Sequence, residues 1–336
     1  MINVAINGFG RIGRRVFRLL QEYNNIQVVA INDLANIETL SHLLKYDSVH
    51  GRFNGTVNYE GSHLIVNDKK VTLLNKNHPK DINWTPYNVD FVIESTGKFK
   101  TATDLQNHIK NGAKHVILSV PPLEDNIKTI VLGVNDVSID GTEHIISNAS
   151  CTTNNAAPMI DVINKLCGIN QAYITTVHSY TTDQSLHDQP HRDLRRSRAA
   201  GQSIVPTTTG AAKALTKIFP DLSEVIGGCG IRVPVINGSL TDITFNVKKS
   251  VTINDVNQAF KNASLNEYKG ILQYTEDPIV SIDIVGNTHS CIFDSGMTSV
   301  IGTMVKIIGW YDNESGYSQR IIDLLCNLSK KSVFCR

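Results

Sequence analysis

The sequence predicts a mixed α/β protein that opens with a doubly wound, parallel-sheet domain suited to a dinucleotide. Three observations predict it. An apolar run over residues 2–7 feeds directly into Gly8, Gly10 and Gly13, and helical spacing of Val16, Leu19 and Leu20 follows at once. A second run, 27–31, ends at Asn32-Asp33, twenty residues past Gly13. Further short apolar runs then alternate with helical patterns as far as Val120.

Each element has its reason. Strand, then G-x-G-x-x-G, then helix is the order in which these glycines act. Gly8 permits the tight turn, Gly10 lets a pyrophosphate approach the backbone, and Gly13 lets the helix pack on the strand. Free N–H groups at the helix start then receive the pyrophosphate. Asp33 is placed to accept from the adenosine ribose hydroxyls, and its charge repels a 2′-phosphate, so NAD is expected over NADP. A glycine turn and a helix-capping Asp are the bland reading, and strand, helix and spaced Asp together weigh against it. Residues 48–84 alternate with period two between turn residues and are expected as an antiparallel excursion at the sheet edge. Residues 89–94 read as a buried strand running into Ser95-Thr96-Gly97, residues 105–111 as a helix, and residues 116–120 as the next strand. Ligands of open parallel sheets sit beyond the strands' carboxyl ends, which makes Thr96, Gly97 and Ser119 candidate cofactor contacts.

The chemical centre is read around Cys151. The stretch SNASCTTNNAAP, 147–158, sets capping residues before a helix of small residues. Helix-start N–H groups favour a thiolate there and suit an oxyanion formed by its attack on a carbonyl. Cysteine is as often a small buried apolar residue, so the segment needs a partner. The β-branched run 173–177 ends at His178, and a Cys/His pair would lower the thiol pKa and supply a general base. One histidine among 11 carries little weight alone. Next come HRDLRRSR at 191–198, the turn PTTTG at 206–210 entering a helix, and Arg232 beside a strand. Arginines and hydroxyls at a helix start suit phosphate groups. The alternative is a solvated loop whose arginines pair with Asp188 and Asp193.

Bulk properties bound the rest. The 336 residues are 41% hydrophobic and 19% charged, enough for two domains with their own cores, and the formal net charge is +1. No global field would hold nucleic acid or an anionic membrane, and the basic cluster lacks aromatic platforms. No apolar stretch approaches a membrane span, and the N-terminus reads straight into a strand without a leader pattern. Cys151, Cys167, Cys229, Cys291, Cys326 and Cys335 show neither CxxC nor metal-ligand spacing, so no metal is expected and a reducing, cytoplasmic setting fits.

Taken together, INGFGRIGR, AINDL, LKYDSVHG, ESTGKF, SNASCTTN, DLRRSRAA, PTTTGAAKAL, RVP and WYDNESGYS resemble the glyceraldehyde-3-phosphate dehydrogenase family, in its order and over essentially the whole chain. The resemblance implies a Rossmann domain (1–150), an α+β catalytic domain with a mostly antiparallel sheet (151–316), and a C-terminal helix (317–336) returning to the first domain. It implies a glycolytic, cytoplasmic homotetramer acting on glyceraldehyde 3-phosphate and inorganic phosphate. Cys151 is then the nucleophile, forming a thioester, and His178 its base. Arg11 and Ile12 lie along the pyrophosphate, Ser119 contacts the cofactor, and Asn77 falls where many relatives carry an arginine near the adenine. Asn313 binds the nicotinamide amide, with Tyr317 near the ring. Thr181 and Arg232 match the pocket for the substrate's C3 phosphate. Ser150, Thr152, Thr209, Gly210 and Arg196 match the site of the attacking phosphate. Pro190 matches the NAD-preferring form of its loop.

The chain departs from the pattern at Asn155, where relatives often have a second cysteine, and at the loop 235–239. Two other functions stand against the main reading: an erythrose-4-phosphate dehydrogenase, using the same thiol and cofactor, and a non-catalytic, NAD-responsive binding protein. HSYTTDQ and the intact PTTTG turn speak against the first, and the presence of Cys151, His178 and both phosphate sites against the second.

Overall fold

A computed structural model describes residues 1–334; Cys335 lies outside them. The chain divides into two units, one holding residues 1–130, 137–149 and the chain from Ser318 on, the other residues 131–136 and 150–317.

The first unit is built on a nine-stranded sheet. Its inner strands are β1 (Ile2–Asn7), β2 (Ile26–Asn32), β5 (Lys69–Leu74), β6 (Phe91–Glu94) and β7 (His115–Leu118). Its outer strands are β3 (Val57–Glu60), β4 (His63–Val66), β8 (Lys128–Thr129) and β9 (Ile145–Ser147). The order is β3-β4-β5-β2-β1-β6-β7-β9-β8. From β5 through β8 every pairing is parallel, whereas β3/β4 and β4/β5 are antiparallel. The expected edge excursion is there. Helices α1 (Arg11–Leu20), α2 (Ile37–Lys45) and α3 (Ala102–Lys110) connect the strands. Strand β6 is buried along its whole length, the mark of a parallel strand covered on both faces. One core cluster gathers Ala5, Val92 and Val116 from the strands with Leu105 of α3 and Trp84. Full burial of each valine or leucine among them contributes roughly 1.5–3 kcal/mol. Helix α3 starts three residues before its expected place because Thr101 caps it, accepting from the Asp104 N–H.

The second unit has helices α4 (Cys151–Cys167), α5 (Ala211–Ile218) and α6 (Ile253–Leu265). Its strands are β10 (Ile169–Ser179), β11 (Val205–Thr207), β12 (Ile226–Val233), β13 (Ser239–Val247), β14 (Leu272–Thr275), β15 (Cys291–Asp294), β16 (Ser299–Ile301) and β17 (Met304–Tyr311). The sheet order is β11-β12-β10-β13-β17-β15-β14, with β16 on β17. Only β10/β12 and β14/β15 run parallel, so this sheet is mixed and mostly antiparallel. Helix α7 (Ser315–Phe334) ends the described chain.

Alternation along β10 sets the chemistry. Ala172, Ile174, Thr176 and His178 share one side and are buried, while Tyr173 is 54% exposed on the other. Helix α4 lies close on this sheet: a Cβ at Gly309 of β17 would meet the Met159 sulfur at 2.6 Å.

Candidate active site

The first unit carries a crevice of about 290 Å³ lined by Gly8, Gly10, Asp33, Asn77, Thr96 and neighbours at the strands' carboxyl ends. Gly8 has φ +93, and a Cβ there would meet the Thr96 nitrogen at 2.6 Å, so the turn admits glycine alone. A Cβ at Gly13 would meet the Gly8 carbonyl at 2.2 Å, which is the close helix-on-strand approach the spacing implied. Gly10 caps α1 without a side chain and faces open space, which suits an anion at the helix start. Asp33 accepts from the Phe9 N–H at 2.7 Å and from the Ala35 N–H at 2.9 Å, which fixes its carboxylate at the crevice wall. An uncapped helix start, an empty cradle at Gly10 and a fixed carboxylate fit a dinucleotide.

Other predicted contacts stand differently. The Arg11 guanidinium is spent on Asp47, at 2.7 and 3.1 Å, so any contact it makes along a pyrophosphate is through backbone. Burial pushes the Asp47 carboxyl up, but the His50 N–H, Arg11 and the Val49 N–H outweigh it and hold it at about 2. Ile12 is half-buried on α1. Gly97, with φ +69, and Ser119, buried directly after β7, are outside the crevice lining, as are Ile12 and Gly13. Lys76, Lys98 and Phe99 also line it and were not among the predicted contacts, although Lys98 and Phe99 lie in the ESTGKF stretch.

In the second unit Cys151 is the first residue of α4. Ser150 caps the helix, its hydroxyl accepting from the Thr153 N–H at 3.1 Å and meeting the Thr153 hydroxyl at 2.7 Å. His178, brought by β10, places Nε2 at 3.5 Å from the Cys151 sulfur. Its Nδ1 lies 2.7 Å from both Arg232 Nη1 and the Ser179 carbonyl, and Arg232 Nη1 also donates to that carbonyl at 2.8 Å. A guanidinium only donates, so with Arg232 here Nδ1 accepts and the ring proton sits on Nε2, facing the sulfur. Burial, then the Arg232 charge, depresses the imidazole to about 3. Cys151 is half-buried, and burial raises its thiol pKa, opposed by Arg232 and by Thr152. In this arrangement the charge that opposes burial at the thiol is the Arg232 guanidinium, while the neutral imidazole stands beside it.

Tyr311 was missed. Its hydroxyl bridges Thr152 Oγ1 and Thr176 Oγ1, both at 2.9 Å, and its ring stands edge-on to His178 with centroids 6.0 Å apart. The Thr152 hydroxyl is thereby engaged. Asn313 is buried, and its Oδ1 accepts from the Ser179 hydroxyl, the Gly238 N–H and the Ser239 hydroxyl at 2.9–3.2 Å. Three donors settle its orientation and turn Nδ2 the other way. So the unusual loop 235–239 has a job: two of its residues hold Asn313. Tyr317 is buried near the start of α7. Asn155 is buried too, its Nδ2 within 3.2–3.4 Å of the carbonyls of Ser290, Gly309 and Trp310.

The basic loop is partly self-paired. Arg198 pairs with Asp188 at 2.9 Å, and Arg196 with Asp183 and, at 3.6 Å, with Asp193. Arg196 also runs along the PTTTG turn, donating to Thr207 Oγ1 at 2.9 Å and to the Thr208 carbonyl at 3.3 Å. Thr209 Oγ1 accepts from the Ala211 N–H, and Gly210 caps α5 without a side chain. Thr181 sits half-buried in the turn after β10. Among the described residues no cluster of His, Cys, Asp or Glu could hold a metal, and no helix is long and apolar enough to cross a membrane.

Comparison with known proteins decides the family. Residues 2–102 match the glyceraldehyde 3-phosphate dehydrogenase NAD binding domain, and residues 150–313 match the C-terminal domain of the same family. The chain belongs to the glyceraldehyde-3-phosphate dehydrogenase family. It is 52% identical to glyceraldehyde-3-phosphate dehydrogenase 2 of Streptomyces avermitilis, over 96% of this chain and 97% of that one. It is 48% identical to the glyceraldehyde-3-phosphate dehydrogenase of Geobacillus stearothermophilus, over 99% of each. It is 49% identical to glyceraldehyde-3-phosphate dehydrogenase 2 of Bacillus subtilis, over 98% of this chain and 97% of that one. The cofactor of this family's N-terminal domain is NAD, and the erythrose-4-phosphate alternative is not favoured.

Proposed function

We propose that the chain oxidises glyceraldehyde 3-phosphate through a thioester on Cys151 and passes the acyl group to inorganic phosphate, the glycolytic reaction. The single observation that carries this is the Cys151 sulfur at the start of α4, 3.5 Å from His178 Nε2. The Cys151 thiol gives up its proton as its sulfur bonds to the aldehyde carbon, the N–H groups at the helix start stabilise the oxyanion, and that proton ends on it as the hemithioacetal's hydroxyl. For His178 to take the hemithioacetal's hydroxyl proton at Nε2, that nitrogen must be free. Moving Arg232 from Nδ1 to the substrate's C3 phosphate allows it, because Nδ1–H can then donate to the Ser179 carbonyl already 2.7 Å away. Thr181 assists Arg232 in that pocket. NAD, when bound, accepts the hydride.

The first α1 N–H groups, including those of Arg11 and Ile12, with Gly8, Gly10, Asp33, Asn77, Thr96, Gly97 and Ser119, serve the dinucleotide. Asn313 Nδ2 serves the nicotinamide amide, and Tyr317 packs near the ring. Ser150, Thr152, Thr209, Gly210 and Arg196 receive the attacking phosphate. A free acyl acceptor conserves the thioester's energy, which hydrolysis would waste. The chain works in the cytoplasm as a homotetramer; association of subunits, though not their number or location, is supported by exposed Tyr173, Ile301 and Met304 lining one groove of the second unit.

The test is the initial rate of NADH formation with glyceraldehyde 3-phosphate, with and without inorganic phosphate. Fast turnover that depends on phosphate is expected. Equal rates without phosphate would overturn the acyl-transfer step, and faster turnover of erythrose 4-phosphate would overturn the substrate.

A further inference from the structure

Three adjacent parallel strands of the first unit end in a row of polar side chains. Asn32, Asn7 and Glu94 are the last residues of β2, β1 and β6 and lie in register. Asn32 Nδ2 donates to Asn7 Oδ1 at 2.7 Å, and Asn7 Nδ2 donates to Glu94 Oε2 at 2.5 Å. The other Glu94 oxygen accepts from the Thr96 N–H at 2.9 Å and from the Thr96 hydroxyl at 2.5 Å. On the opposite side His108 Nε2 lies 3.2 Å from Glu94 Oε2, and Trp84 Nε1 donates to His108 Nδ1 at 3.0 Å. An indole N–H can only donate, so His108 Nδ1 accepts and its proton sits on Nε2, aimed at Glu94.

Glu94, His108 and Trp84 are fully buried. Desolvating a carboxylate costs several kcal/mol unless donors surround it, and here four donors from three residues do. Stability alone does not call for such a group, since apolar packing in its place is often no worse. What the carboxylate adds is direction. Asn7 and Thr96, which it holds, line the nucleotide crevice, while Glu94, His108 and Trp84 stand behind it.

We propose that Glu94, braced by His108 and Trp84, is a positioning residue for the dinucleotide, fixing the Asn7 and Thr96 side chains at the crevice floor. The proposal rests on the reading that this crevice holds NAD, so the test separates the two. Gly10→Val is the control: its Cβ meets nothing within 4 Å and its φ is −74, so the chain accepts the side chain, which fills the cradle. NAD binding is measured by calorimetry on the full-length protein.

With the crevice reading correct, Gly10→Val abolishes NAD binding. With the positioning role correct, Glu94→Gln weakens NAD about tenfold while kcat at saturating NAD stays within about twofold. A purely structural role would instead lower the unfolding temperature and leave the affinity alone. Trp84→Phe keeps an aromatic ring, though a smaller one, and deletes the N–H that fixes the His108 tautomer. It is expected to weaken NAD roughly threefold and to change the His108 ring ¹⁵N shifts from a single Nε2–H form to a mixture. If Glu94→Gln does not fold, Trp84→Phe decides alone. Loss of binding in Gly10→Val with unchanged affinity in the Glu94 and Trp84 variants overturns the positioning role. Retained binding in Gly10→Val overturns the crevice reading, and the proposal with it.

Discussion

In the first unit the seat offered to the pyrophosphate is backbone, at the start of α1. Helix α1 starts without a side-chain cap, and the side chains beside it are already engaged, Arg11 with Asp47 and Asp33 with two N–H groups. In the second unit the reacting groups are side chains: Cys151, His178 and Arg232 touch or face one another, and burial shifts the ionisation of all three. A backbone site is set by chain path and tolerates changes at its rim. A side-chain site depends on each partner's charge and proton, and single changes should silence it.

Four substitutions probe that contrast. The largest effect belongs to Cys151→Ser, expected to lower NADH formation by at least about 10³-fold with NAD affinity nearly intact, because only the covalent step is removed. Turnover within tenfold of the parent would mean that Cys151 is not the nucleophile. Next, His178→Gln should lower kcat by about 10²–10⁴-fold, the usual span for a general base. A change confined to KM would assign the imidazole to binding. Arg232→Gln should then cut kcat/KM for the phosphorylated aldehyde by about 10- to 100-fold and for unphosphorylated glyceraldehyde much less. Equal losses on both aldehydes would place the guanidinium's role at His178 alone.

The smallest effect on function is expected from Arg11→Ala, with NAD affinity changed by less than about threefold, since its side chain is committed elsewhere. Its cost falls on stability, roughly 1–3 kcal/mol for a charge-assisted bond. The sign with pH follows from Asp47, whose carboxyl is held at about 2 in the fold against an ordinary 3.8. The stabilisation is full above the unfolded value and is lost as pH falls through the folded one. Parent and variant should therefore differ in urea midpoint at pH 7 and converge toward pH 2. A tenfold loss of NAD affinity in Arg11→Ala would break the backbone account of the crevice.

The two regions also differ in how far the sequence exposes them. The turn from Gly8 to Gly13 and Asp33 were legible because strand, turn and helix follow one another within a few dozen residues, and the glycine requirement is local. Cys151 and His178 were legible as candidates, each at the end of a periodic element. Their electrostatics were not, because Arg232 comes from a parallel neighbour strand in register with His178. Tyr311 and the hold on Asn313 rest on contacts 74 to 159 residues apart in sequence, and no local pattern encodes these. The turn into α4 hides another such feature, since Ala149 takes φ +57, a conformation that sequence patterns assign to glycine or asparagine. The Glu94 row went unseen for a related reason. Sequence reading marked Glu94 as a strand end, and only the parallel register puts Asn32 and Asn7 beside it.

The central claim, acyl transfer through Cys151, is tested most directly by a single turnover without phosphate. Enzyme, NAD and glyceraldehyde 3-phosphate are mixed rapidly, NADH is followed, and the acid-quenched chain is weighed and digested. The account predicts a fast burst of NADH approaching one equivalent per chain, with the acyl group found on Cys151 and discharged when phosphate is added. A burst with no acyl group on Cys151, or an adduct that phosphate leaves in place, would contradict it.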